Sequence, residues 1–153
     1  MLLAEALAER AQAQERLNNL HERLLTVVRV QEGDTPEEDP QELLRELDGV
    51  AGRIDELVQA INATNIATAF DEKRNLMEAL ALRDGLLRKR RIYHDLAQRA
   101  GTRSDRYSRN EIKFVSTIPV ADMRKRVDDL SKQYRELDTR IQQLNWNTEL
   151  KNG

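Results

Sequence analysis

The chain repeats itself, and that repeat limits the folds open to it. Leu3-Ala-Glu-Ala-Leu-Ala-Glu-Arg10 recurs at Leu76-Met-Glu-Ala-Leu-Ala-Leu-Arg83, with six of eight positions identical. At the same offset of 73, His21-Glu22 recurs as His94-Asp95, and these are the only two histidines. A second echo pairs Ile54-Asp55, Val58 and Ile61-Asn62 with Leu137-Asp138, Ile141 and Leu144-Asn145 at an offset of 83. With A at about 2–28, B opening at Asp39, A′ at about 76–100 and B′ opening at Pro119, the order A-B-A′-B′ implies a duplicated hairpin with about ten residues inserted between A′ and B′.

The periodicity within the segments is helical. In B, Leu47, Val50, Ile54, Leu57 and Ile61 alternate by three and four, and Leu44, Ala51 and Val58 form a second line one heptad apart. In B′, Val120, Met123, Val127, Leu130, Tyr134, Leu137, Ile141 and Leu144 do the same, which is the seam of coiled-coil-like packing. Asp39-Pro40-Gln41-Glu42 supplies an N-cap, a proline at the first helical position and an early acid. Asn75 with Glu78 has capping-box spacing. In A and A′ the seam frame passes through Arg10 and Arg83, whose guanidinium groups would meet carboxylates of B and B′, with Asp55 and Asp138 as candidates.

The expected fold is mostly α: an antiparallel four-helix bundle of two hairpins, 1–70 and 74–150, within a single domain spanning 1–153. A small β element at one end is expected from residues 26–31, 66–70 and 112–118, which are rich in β-branched or alternating apolar residues. The double apolar line on B is wider than one partner helix requires, so the bundle should also associate with copies of itself.

Composition narrows the chemistry. The chain has no cysteine, which excludes disulfides, thiolate catalysis and zinc–thiolate sites. No apolar run approaches the roughly 20 residues of a membrane span, and Glu5, Glu9 and Arg10 interrupt any signal-peptide core. A cytoplasmic protein with no membrane partner is the expectation. Charge is segregated: residues 32–57 hold ten acids against Arg45 and Arg53, and residues 83–113 hold ten bases against four acids. The segments would pair with each other, within one chain or between subunits, or the basic one would bind nucleic acid or a phosphate ligand.

Four sets of residues bear on a site. Arg106, Tyr107, Arg109 and Lys113 are the anion-binding candidates. Asn62, Asn65, Asn145 and Thr148, at the exits of B and B′, are candidates for a polar pocket at the end of the bundle, and capping is their commoner role. His21 and His94 with neighbouring acids would suit a metal-dependent hydrolase, but neither has the Glu-x-x-His spacing of helical di-metal bundles. Glu37, Glu38, Glu42 and Glu46 resemble half of the magnesium site of an all-helical nucleotide pyrophosphatase, without a second pair to complete it. No catalytic residue, cofactor or metal is assigned, and an enzyme is the less favoured reading.

Several separated segments carry a family resemblance: Leu3-Ala-Glu-Ala-Leu7, Val30-Gln-Glu-Gly33, Arg106-Tyr-Ser-Arg109, Glu111-Ile-Lys-Phe-Val-Ser-Thr117, and Arg135-Glu-Leu-Asp138 leading to Leu144-Asn-Trp146. In that order they resemble the septicolysin-like family of small bacterial proteins. The resemblance implies a helical fold assembled as a homo-oligomer such as a hexamer, with no catalytic residues to carry over. The family name implies a pore-forming cytolysin, which a chain with no cysteine, one tryptophan and no barrel-length alternation does not support.

Overall fold

The computed structural model describes residues 1–102 and 112–152. Four helices make up most of it: α1 (Leu3–Val27), α2 (Pro40–Ala67), α3 (Leu76–Gly101) and α4 (Val120–Asn147). The start signals work as expected. The Asp39 carboxylate accepts the Gln41 N–H at 2.9 Å, with Pro40 in the first turn. At the head of α1 the Glu5 carboxylate accepts the Leu2 N–H at 2.7 Å, satisfying a backbone donor that has no helical partner.

The chain forms two compact units. The first comprises residues 1–76 with 142–153, the second residues 77–141. In the first, α1 and α2 run antiparallel, as the ion pairs Glu9–Arg53, Arg16–Glu46 and Arg23–Glu38 require. Leu20, Leu24 and Val27 pack with Leu43 into one cluster, flanked by Leu47 and Val50. The hairpin loop turns at Gln31–Asp34, where the Asp34 N–H reaches the Gln31 carbonyl at 3.0 Å. Gly33 holds φ +91 there, a conformation that side chains with a Cβ avoid.

In the second unit, α3 and α4 are also antiparallel, joined by Arg83–Asp138 at 3.0 Å and Arg90 Nε–Ser131 Oγ at 2.6 Å. Arg126 donates to the Tyr93 hydroxyl at 2.7 Å and lies 4.8 Å from its ring centroid. Near the loop end, a Cβ on Gly101 would come within 3.2 Å of Arg124 Nη2 and 3.4 Å of Val120 Cγ1, so this residue allows the helices to close.

Helices α2 and α4 match in a register different from the one read above. Helices α2 and α4 are each 28 residues long, and their starts and ends differ by 80, not 83. The buried pairs Leu57/Leu137 and Ile61/Ile141 obey the same offset. A seam alternating three and four looks alike after a three-residue slip, which is why the wrong register matched. The slip has a consequence. In the true register Asp138 corresponds to Val58, so Arg10 has no matching carboxylate. Among the described residues Arg10 is in no ion pair with Asp55; Glu9, one position earlier, meets Arg53 instead at 2.7 Å.

The expected β element is absent from the described residues. Residues 26–27 and 66–67 finish helices, and residues 112–118 form no strand. Ile112, Phe114 and Val115 are 80–89% exposed, and no strand edge pairs with them among the described residues. What exists is two single-residue antiparallel bridges, Leu2 with Glu149 and Ala69 with Asn75. They share a form: the Leu3 N–H donates to the Thr148 carbonyl and the Leu76 N–H to the Thr68 carbonyl, both at 2.8 Å.

Candidate functional site

The helix exits form a polar cluster in the first unit. Thr64 is fully buried; its Oγ1 donates to the Ala60 carbonyl at 2.7 Å and accepts the Lys151 N–H at 2.9 Å. Thr68 and Thr148 each return their hydroxyl to the carbonyl four residues back, at 2.7 Å. Of the pocket candidates, Asn145 is buried, Asn65 and Thr148 are half-buried, and Asn62 is exposed. Among the described residues no enclosed side-chain donor or acceptor lacks a partner. The geometry is that of a structural knot, tying the C-terminal segment to the exit of α2. Thr64 lies inside the exit motif Asn62–Asn65 but is not among the pocket candidates read from the sequence, although its spacing from Thr68 matches that of Leu144 from Thr148 and marks the same exit.

The acids at the start of α2 line an open cleft of about 400 Å³ with Arg23, Glu37, Glu38, Asp39, Glu42 and Glu46. Three of them are already engaged: Glu38 by Arg23, Glu46 by Arg16, and Asp39 by the helix it caps. The hydrogen bonds from Arg23 hold the Glu38 carboxyl below its usual range and raise the guanidinium in return. Glu9 is lowered in the same way by Arg53. Asp71 is lowered by the N–H groups of Lys73 and Arg74 and by the Arg74 side chain.

His21 is exposed on α1. His94 has Nδ1 3.5 Å from Asp95 and borders a shallow groove of about 290 Å³ with Ala97, Gln98, Arg124, Val127 and Asp128. Among the described residues no group of three or more histidines and carboxylates is placed to share a metal ion. Arg106, Tyr107 and Arg109 lie outside the described residues, and Lys113 is exposed in the segment before α4.

The most unusual geometry is on the outside of the helices. On α3 the arginines Arg83 and Arg90 are half-buried in the seam beside Ala79 and Ala97, whereas Leu82, Ile92 and Leu96 are 40–54% exposed. On α2 the second apolar line is also uncovered at Leu44. Among the described residues no helix is long and apolar enough to cross a membrane, so these side chains do not belong to a span.

Comparison with known proteins corrects one expectation. Residues 10–150 match a family of unknown function, DUF6847. A solved structure described as a functionally unknown conserved protein from Corynebacterium diphtheriae is 52% identical, with 99% of each chain covered and a TM-score of 0.93. No curated protein matches. The septicolysin-like resemblance is thereby overturned, and the hexamer and cytolysin implied by that family lose their support. Among the described residues, the segments that carried it lie in the first turn of α1, in the loop after α1, before α4 and within α4. The chain belongs to the DUF6847 family, whose function is unknown.

Proposed function

We propose that this protein is a self-associating helical scaffold without chemistry of its own, in which the helices of further copies complete the bundle that the seam pattern calls for. The observation that carries this reading is the row of exposed Leu82, Ile92 and Leu96 on α3. A two-helix hairpin covers one face of each helix, and large apolar side chains grouped elsewhere mark an association surface. The duplicated hairpin supports it as well, because it offers such a surface on more than one helix.

Light scattering coupled to size exclusion, at low and high salt, tests the proposal. An assembly larger than the 17.7 kDa of one chain, retained at high salt, is the expected result, since apolar burial is not screened. A monomer at both salt concentrations would overturn it.

A further inference from the structure

The outer faces of α2 and α3 have complementary chemistry. About a third of the way round α2 from its seam, Leu44, Asp48, Ala51, Asp55 and Val58 follow a four-three spacing, so apolar residues alternate with acids. The equivalent line on α3 is Leu82, Gly85, Lys89, Ile92, Leu96 and Arg99, apolar or small residues interrupted by bases. Asp48, Asp55, Lys89 and Arg99 are all exposed. None of the four is in an ion pair among the described residues; the acidic segment's ion pairs are made by other carboxylates, to Arg16, Arg23 and Arg53. Gly85 leaves a notch in the α3 line, since a Cβ built there would meet nothing within 4 Å.

We infer that the contact between copies is head-to-tail: the acidic outer face of α2 in one copy docks on the basic outer face of α3 in the next. Two like faces would set Lys89 and Arg99 against a second basic row, or Asp48 and Asp55 against a second acidic one, and like charges placed together oppose docking. Unlike faces meet with apolar residues against apolar residues and acids against bases. The apolar residues supply the affinity, and the charges select which face is accepted. A contact between two different faces propagates, closing into a ring or extending as a filament. This inference rests on the self-association proposed above.

Two charge-reversed chains test it. One carries Asp48→Lys with Asp55→Lys, leaving both outer faces basic; the other carries Lys89→Glu with Arg99→Glu, leaving both acidic. All four positions are exposed, so each variant should keep the helical circular dichroism of the unaltered chain. Each alone should elute at the mass of one chain, and an equimolar mixture should regain assembly, because every contact is again between unlike faces. Variants that assemble alone like the unaltered protein, or a mixture that stays monomeric, would overturn the head-to-tail contact. The unaltered chain is measured alongside. If it is itself monomeric, the scaffold reading fails with the contact; if it assembles while the variants behave otherwise than expected, the contact alone fails.

Discussion

The two hairpins descend from one pattern but are held together differently. In the first, the seam between α1 and α2 is aliphatic, built from Leu20, Leu24, Val27 and Leu43, with arginine–carboxylate pairs along its rim. In the second, the seam between α3 and α4 is more mixed. Ala79, Ala97, Leu130, Leu137 and Ile141 are buried, but Arg83, Arg90 and Tyr93 occupy half-buried positions on α3. Their polar ends are satisfied by Asp138, Ser131 and Arg126. Aliphatic residues that would have thickened this seam sit on the outer face of α3. A duplicated unit can therefore keep its helices and registers while moving apolar surface from the intramolecular seam to the outside.

The largest expected contrast comes from truncating each seam. Leu20→Ala removes a fully buried side chain from the aliphatic cluster and should cost about 2–5 kcal/mol. Leu130→Ala, in a seam already lined by alanine and arginine, should cost clearly less, roughly 1–3 kcal/mol, because neighbouring long side chains can relax into the space. Denaturant unfolding of both variants measures the difference, and equal losses would remove the distinction between the seams.

A smaller effect is expected from the polar fastening. Arg83 and Asp138 are 23% and 30% exposed, 3.0 Å apart. A double-mutant cycle with Arg83→Met and Asp138→Asn should return a coupling of about 1 kcal/mol. The same cycle on Glu9 and Arg53, which lie open to solvent at the rim, should return little and lose it in salt. A rim coupling as large as the seam coupling would show that exposure is not what separates the two.

The smallest contrast is in acid. Glu9 and Glu38 are held below their ordinary range by Arg53 and Arg23 in the folded chain. A depressed carboxylate contributes stability that is fully present above its unfolded pKa of about 4.3. That contribution is lost as pH falls through the lower folded value. Amide exchange in α1 and α2 should therefore accelerate below pH 4 beyond its intrinsic rate. In the variant carrying Glu9→Gln and Glu38→Gln this extra acceleration should be reduced. An unchanged pH profile in that variant would assign the acid sensitivity elsewhere.

How far the sequence could be read depended on the range of the interaction. Helix α2 was legible from Asp39 and Pro40 onward because capping and proline geometry are decided within one turn. Arg83 was recognised as a seam residue needing a carboxylate, and Asp138 supplies it. Its counterpart failed: Arg10 was matched with Asp55 only because a three-residue slip preserves a three-four seam. The strand expected at 112–118 also failed, since alternation makes a strand only where an edge is available, and among the described residues none pairs with Ile112 or Phe114. Thr64 was invisible as a knot, for its partner Lys151 lies 87 residues away.

By itself, then, the sequence determined what is local and periodic: four helices, their caps, the repeat, and the stripes available on each helix. Which stripe is buried was decided only by the tertiary structure. Burial is a property of pairs of elements, and a stripe of Leu82, Ile92 and Leu96 reads in sequence as readily as core as it does as surface. Only the packing of α3 on α4 through Arg83 and Arg90 turned that stripe outward, and with it the surface on which a second copy is proposed to dock.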